Sequence, residues 1–139
     1  MANGEIALSS HLVGHGIDLV EIAEFRKLIE ATGENFLLRC FMTSELEEIG
    51  QGVDRAERLA GRFASKEAVL KALGTGFGNG IALTDVVISR SYGQPPSVVL
   101  LGGALVVARQ LGITGWSLSI SHTSTMACAS ALALSDCKG

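Results

Sequence analysis

The segment that most constrains the fold is residues 54–73, which predicts one long helix in a chain of only 139 residues. Asp54 is a residue type that caps helix N-termini, Gly61 is the only glycine in the segment, and Gly74 follows as a stop signal. We therefore expect the remaining elements to pack around this helix.

Shorter periodic segments on both sides of the long helix predict further elements. A strand is expected over residues 13–22, with Asp18 on the face opposite to Ile17 and Leu19. Further strands are expected over residues 85–91, 97–101, 116–122 and 127–134, and short helices over residues 22–31, 34–40, 43–49 and 104–111. This order favours an α+β fold, with a mainly antiparallel sheet packed on the long central helix. We expect a single domain over residues 13–139, preceded by a tail or an edge segment over residues 1–12.

Composition and charge exclude several classes of protein. Hydrophobic residues make up 47% of the chain and charged residues 18%, which excludes a disordered chain, and a net charge of −3 argues against a general nucleic-acid binder. No apolar run approaches the roughly 20 residues that cross a membrane, and the N-terminus lacks the pattern of a secretory signal. Cys40, Cys128 and Cys137 lack metal-ligand spacing and predict free thiols in a protein of the reducing cytoplasm.

The long helix sorts its side chains into three faces when each residue advances by about 100°. The first is a cationic ridge, the second an apolar stripe, and the third a row of small residues around an acid and a lysine. The ridge holds Arg55, Arg58, Arg62 and Lys66, the stripe Leu59, Phe63 and Leu70, and the third face Ala56, Ala60, Ala64, Glu67 and Lys71. On spacing alone, Glu67 and Lys71 could form a surface pair, and the ridge could be a solvated face. The small residues would equally let another backbone approach closely.

A glycine-rich loop, residues 74–80, follows the cationic helix directly and points to an anionic ligand. Glycine lets backbone N–H groups approach a bulky anion, and arginine and lysine neutralise it. The loop fits neither of the known nucleotide motifs: it lacks the Gly-Lys-Ser/Thr ending of a P-loop, and it follows its helix rather than preceding it. Any nucleotide would therefore be held by side chains and the loop rather than by a helix N-terminus.

Asp18 and Glu67 are candidate ligands of a hard metal ion. Mg²⁺ prefers one or two protein carboxylates, with phosphate oxygens and water as its other ligands. Asp18 and Glu67 would supply that pair if the first strand packs against the small-residue face of the helix. The simpler alternative for Asp18 is a solvated acid at a strand end, and for His122 a structural residue of its strand.

Six blocks of the sequence, in order, resemble the holo-[acyl-carrier-protein] synthases, a family of 4′-phosphopantetheinyl transferases. They read GIDLVEI at 16–22, FMTSEL at 41–46, RLAGRFASKEA at 58–68, KALGTG at 71–76, GQP at 93–95 and SISHT at 119–123. The string GRFASKEA followed by GTG is the most specific of them. The resemblance spans nearly the whole chain, from about residue 13 to residue 135.

The resemblance implies that the chain moves the phosphopantetheine arm of coenzyme A onto a serine of apo acyl carrier protein, in fatty acid biosynthesis. It also implies that Asp18 and Glu67 bind Mg²⁺. We then expect Glu67 to take the serine proton, directly or through a metal-bound water, and Lys71 to stabilise charge at the leaving phosphate. Arg62 and Lys66 would pair with nucleotide phosphates. The remaining contacts to coenzyme A would come from Gly74, Thr75 and Gly76 and, across the subunit boundary of a homotrimer, from Pro95, Ser121, His122 and Thr123.

Two positions depart from the family pattern. Glu24 interrupts the usually basic helix that docks the acidic carrier protein, which leaves Arg26, Lys27 and Arg39 as docking candidates. Met126 stands where some members have a tyrosine. Two other functions were weighed: a binding module without turnover, which the intact acids and lysine argue against, and a small Mg²⁺-dependent pyrophosphohydrolase, which would need more acidic ligands.

Overall fold

The computed structural model describes residues 10–75 and 80–136, which form five helices, one 3₁₀ turn and five strands. In chain order these are β1 Ser10–Glu21, α1 Ile22–Thr32, α2 Glu34–Cys40, α3 Thr43–Ile49, α4 Arg55–Ala72, the 3₁₀ turn Leu83–Asp85, β2 Val86–Ser89, β3 Ser97–Leu100, α5 Gly102–Gln110, β4 Gly115–His122 and β5 Met126–Asp136. The expected α+β class is confirmed.

The long helix and the short elements lie close to where the sequence predicts them, although several limits differ by one to three residues. β1 begins at Ser10 rather than at residue 13, because residues 10–12 already pair with the end of β5. A register shift between Leu12 and Gly14 separates this first part from the rest of the strand. β2 begins only at Val86, because the preceding residues close a 3₁₀ turn.

Two antiparallel sheets surround α4. The larger has the order β1-β5-β4, and the smaller consists of β2 and β3. β5 is central in the larger sheet and turns a row of fully buried alanines toward α4: Ala127, Ala129, Ala131 and Ala133. Such small side chains let the sheet and the helix approach closely, which accounts for a core with few aromatic residues.

The few aromatic rings that the core contains lie at the junction of α1, α2 and α4. Phe25, Phe36 and Phe63 pack with ring centroids 5.3–6.1 Å apart, in edge-on and tilted arrangements that aromatic pairs favour. This cluster fixes α1 beside the middle of α4. Within the described ranges, none of the helices has the length and apolar character required to cross a membrane.

Candidate functional site

Strand β1 crosses α4 at a distance that only glycine permits. A Cβ atom built on Gly14 would lie 2.0 Å from the carbonyl oxygen of Ala72, and one on Gly16 would lie 1.9 Å from that of Ala68. Asp18 follows on the same face of the strand, because alternate residues point to the same side. The close crossing therefore brings the Asp18 carboxylate to the helix, as the small residues of that helix face predict.

Asp18 and Lys71 form an ion pair between the strand and the helix. The Lys71 Nζ atom donates to Asp18 Oδ1 at 3.0 Å and to the Ile17 carbonyl oxygen at 3.0 Å. In the part of the chain that the structure describes, Lys71 pairs with Asp18 and not with Glu67, so the i,i+4 surface pair does not form. The lysine side chain remains 53% exposed, and its third N–H is left for a ligand.

Glu67 lies beside this pair and is half-buried. Burial raises the pKa of the Glu67 carboxyl above its usual value, the negative charge of Asp18 raises it further, and Lys71 opposes part of the rise. Glu67 and Asp18 line one open cavity of about 380 Å³, together with Phe25, Leu28 and Phe63 of the apolar wall. A carboxylate with a raised pKa beside an open cavity is suited to accept a proton from a ligand.

The same cavity has an acidic rim. Glu21 and Glu24, at the start of α1, line it with Asp18 and Glu67. Over residues 10–75 and 80–136, no group of three or more His, Cys, Asp or Glu side chains is arranged to hold a metal ion. The acid pair can therefore supply two protein ligands to a cation, and the other ligands would have to come from water or substrate.

The C-terminal end of α4 contributes a turn next to Lys71. Gly74 has φ +78°, a conformation that favours glycine, and the Thr75 N–H donates to the Leu70 carbonyl oxygen at 3.1 Å. The buried Thr75 Oγ1 has no hydrogen-bond partner in the described structure. Gly76, which the resemblance assigns to the same pocket, lies outside the described residues.

A second cluster, which we call the cationic cleft, lies between α4 and the ends of β2 and β4. Arg58, Arg62, Arg90 and His122 line this cleft, whose volume is about 170 Å³. Arg62 is held by two hydrogen bonds, to the Ile88 carbonyl oxygen at 2.9 Å and to Glu48 Oε1 at 3.1 Å. The cleft shares no lining residue with the cavity of Asp18 and Glu67. One protomer therefore separates the acid pair from Arg62 and His122.

Of the residues that the resemblance assigns to a subunit boundary, His122 lines the cationic cleft, whereas Pro95, Ser121 and Thr123 do not. Pro95 is exposed between β2 and β3, and the Thr123 hydroxyl accepts the N–H groups of Thr125 and Met126 at 3.2 and 3.0 Å. Ser121 and His122 point to opposite faces of β4, since their cross-strand partners are a half-buried cysteine and a buried alanine. His122 faces the cleft, and Ser121 faces away from α4.

Lys66 shares a face of α4 with Arg62, but it is covered by other elements and has no access to a phosphate in this structure. Its side chain is fully buried, and Nζ donates to Glu45 Oε1 at 2.8 Å, to the Leu83 carbonyl oxygen at 3.1 Å and to that of Val86. These three acceptors use all three N–H groups of Lys66. The predicted contact between Lys66 and a nucleotide phosphate is therefore wrong for this structure. Glu45 lies on a separate helix, and no local pattern in the sequence links it to Lys66.

Glu45 completes this buried network from the other side. Its carboxylate also accepts the backbone N–H groups of Met42 at 2.8 Å and Ile88 at 3.0 Å. Burial lowers the pKa of Lys66, whereas the bond to Glu45 opposes that effect. The pair thus cross-links α3, α4 and β2, and its role in this structure is to hold these elements together.

Comparison with known proteins shows the family to which the chain belongs. The family model of the 4′-phosphopantetheinyl transferase superfamily matches residues 14–121. Curated holo-[acyl-carrier-protein] synthases are similar over most of their length. That of Hydrogenovibrio crunogenus is 42% identical over 122 residues, which cover 88% of this chain and 96% of the relative. That of Alkalilimnicola ehrlichii is 45% identical over 119 residues, which cover 85% and 93%.

Solved structures give the same result at the level of the fold. The Helicobacter pylori holo-[acyl-carrier-protein] synthase in complex with coenzyme A has a TM-score of 0.75 and 33% identity, covering 86% of this chain and 98% of that one. The Plasmodium yoelii acyl carrier protein synthase with ADP bound has a TM-score of 0.81 and 30% identity, covering 93% and 99%. On these matches, the chain belongs to the holo-[acyl-carrier-protein] synthases of the 4′-phosphopantetheinyl transferase superfamily.

Proposed function

We propose that this chain transfers the 4′-phosphopantetheine group of coenzyme A to a serine of apo acyl carrier protein and releases adenosine 3′,5′-bisphosphate. The observation that carries the proposal is the meeting of Asp18, Glu67 and Lys71, from two distant parts of the chain, at the edge of an open cavity. The names of the relatives and the coenzyme A complex of the Helicobacter pylori protein support the substrate assignment.

The reaction needs a proton acceptor and a stabiliser of negative charge. The serine oxygen bonds to the phosphorus that carries pantetheine, and the bond from that phosphorus to the bridging oxygen breaks. The released electron pair stays on the departing adenosine 3′,5′-bisphosphate, where the free N–H of Lys71 stabilises it. Glu67 lines the same cavity and takes the serine proton.

The acid pair fits a Mg²⁺ ion held by Asp18 and Glu67. Two carboxylates that repel each other at a partly open cavity, without a third protein ligand in the described ranges, match the preference of Mg²⁺ for few carboxylates together with water and phosphate oxygens. When bound, the ion would neutralise negative charge on the pyrophosphate.

For coenzyme A, the chain offers two separate groups of contacts. Gly74 and Thr75 follow Lys71 at the end of α4, and the resemblance assigns Gly76 to the same group. The second group consists of Arg62 and His122, which line the cationic cleft, together with three residues that the resemblance assigns to nucleotide binding: Pro95, Ser121 and Thr123. Because one protomer keeps the groups apart, we propose that a neighbouring subunit brings the second group to the first.

We propose a homotrimer, and the outer face of the larger sheet supports an assembly of this kind. Leu12, Ile17 and Leu19 of β1 are 61%, 54% and 62% exposed on the face that points away from α4. Leu132 and Leu134 of β5 share that face, since the alternate residues are the buried alanines. An apolar sheet surface of this extent is suited to burial against neighbouring copies of the chain.

Leu12→Glu is expected to weaken this assembly, because each interface would then bury an unpaired carboxylate. In sedimentation velocity at micromolar concentration, the wild-type chain should sediment as a trimer and the variant mainly as a monomer. Val106→Glu is the matched control, since Val106 is 53% exposed on α5. A Leu12→Glu variant that stays fully trimeric would exclude this end of β1 from the interface.

The carrier protein is expected to approach from the side of α1 and α2. Lys27 and Arg39 are exposed there, whereas Arg26 is 3.6 Å from Glu57 and Glu24 lines the acidic rim. A carrier protein of fatty acid biosynthesis is the partner that the resemblance implies. We assign the reaction to the cytoplasm, in keeping with the free thiols of Cys40 and Cys128.

Intact-protein mass spectrometry tests the function directly. The purified chain is incubated with apo acyl carrier protein, coenzyme A and Mg²⁺, and the carrier should gain the mass of one phosphopantetheine group. Hydrolysis of coenzyme A with an unmodified carrier would instead show a pyrophosphohydrolase. Binding of coenzyme A without either reaction would show a non-catalytic module, and both of these outcomes contradict the proposal.

A further inference from the structure

Arg90 is a cation of the cationic cleft to which neither the resemblance nor the local sequence pattern assigns a role. It lies directly after β2, at the start of the turn that leads to Pro95. It lines the cleft with Arg62 and His122, and it also lines the adjoining pocket with Arg62 and Tyr92. Arg90 therefore stands at the entrance of the region in which the proposed function places the nucleotide.

The backbone and the side chain of Arg90 are both held in place. The Arg90 backbone N–H donates to Glu48 Oε1 at 2.6 Å, and the same oxygen accepts Arg62 at 3.1 Å. The Arg90 Nε donates to the Gln94 carbonyl oxygen at 3.3 Å. The two terminal nitrogens of its guanidinium have no partner in the described structure, so they can bind a ligand without breaking an existing contact.

The cationic cleft keeps a positive charge although the chain as a whole is acidic. Glu57 lines the cleft and is paired with Arg26, and Glu48, in the adjoining pocket, is paired with Arg62. Arg58 donates only to neutral carbonyl oxygens, at 3.1 and 2.9 Å. Among the described residues, Arg58 and Arg90 thus carry charges that no carboxylate neutralises.

We propose that Arg90 is a specificity-determining residue that binds the phosphate monoester of the coenzyme A nucleotide. The inference rests on the proposed function, because coenzyme A carries two kinds of phosphate. Its pyrophosphate suits a site with a divalent cation, whereas its 3′-phosphate monoester carries up to two negative charges and exposed oxygens. A guanidinium with two free terminal nitrogens matches such a group by bidentate hydrogen bonding. Arg62 and His122 line the same cleft.

Binding of two nucleotides that differ only in this phosphate tests the proposal without turnover. Adenosine 3′,5′-bisphosphate and adenosine 5′-monophosphate are titrated into the wild-type chain and into Arg90→Gln by isothermal titration calorimetry without Mg²⁺. The wild type should prefer the bisphosphate. Arg90→Gln should weaken bisphosphate binding about ten-fold, the equivalent of about 1.4 kcal/mol, and leave monophosphate binding unchanged.

Arg109→Gln is the matched control, because Arg109 is a surface arginine of α5 that lines neither the cavity of the acid pair nor the cationic cleft. It should bind both nucleotides like the wild type. A wild type without preference for the bisphosphate, or an Arg90→Gln variant that keeps the full preference, overturns the proposal. If Arg90→Gln weakens bisphosphate binding as expected but the carrier protein is not modified, only the proposed transfer reaction is overturned.

Discussion

Glu67→Gln is expected to lower kcat for carrier-protein modification by at least about 100-fold, the smaller end of what a general base contributes. The amide has nearly the shape of the carboxylate, but it can neither accept the serine proton nor bind a cation as an anion. The rate is followed as the gain of the phosphopantetheine mass at saturating coenzyme A. Glu47→Gln, on the exposed side of α3, is the matched control and should keep the wild-type rate.

The same substitution is expected to leave the fold intact and to raise its thermal midpoint. Burial and the charge of Asp18 both disfavour the ionised form of Glu67, so its pKa is raised and the carboxylate destabilises the fold at neutral pH. Its contribution to stability is favourable only at low pH and is lost as the pH rises through the raised pKa. Wild-type turnover in Glu67→Gln, or a lowered thermal midpoint, would contradict these roles.

Lys66→Met is expected to lower the free energy of unfolding by about 3 to 5 kcal/mol, the usual effect of removing one partner of a buried ion pair. The variant leaves the Glu45 carboxylate buried and without its cation, although two backbone N–H groups still reach it. Urea unfolding followed by the fluorescence of Trp116, the single tryptophan, measures the change.

Lys27→Met provides the control for a lysine-to-methionine change on the surface, because Lys27 is exposed on α1. Its effect should stay within about 0.5 kcal/mol. A Lys66→Met variant as stable as this control would mean that Glu45 becomes protonated or finds other partners, and that the pair does not hold α3 and β2 on α4. Coenzyme A affinity adds a second readout: if the folded fraction of Lys66→Met binds normally, Lys66 does not touch the nucleotide.

The sequence was sufficient to predict the long helix and the order of the elements, whereas the contact between β1 and α4 was only a condition for pairing Asp18 with Glu67. Helices and strands could be predicted because their signals are local. Hydrophobic periodicity, helix-stop glycines and a face of small residues can each be recognised within a single helix or strand. Strand alternation placed Asp18 opposite to Ile17 and Leu19, but it did not decide which face of β1 meets α4. The structure shows that the face with Gly14 and Gly16 meets the helix, and Asp18 pairs there with Lys71.

The environment of Lys66 could not be predicted, because a helical angle gives the direction of a side chain but not what covers it. Arg62 and Lys66 are neighbours on the same ridge, yet one lies at a cleft and the other is sealed under α3. The partner that decides this, Glu45, is 21 positions away along the chain. The position of Arg90 at the cationic cleft could not be predicted for a related reason, since it depends on how β2 lies beside α4.

The close passage of β1 over α4 has a consequence for the construction of chimaeras between relatives of this protein. The strand and the helix interlock through backbone atoms, with glycine in the strand against the Ala68 and Ala72 carbonyl groups, so neither surface can adapt by repacking side chains. A chimaera with residues 10–21 from one parent and residues 55–72 from another would fold only where both parents have the same distance between strand and helix. The two segments are best exchanged together, as one inherited unit.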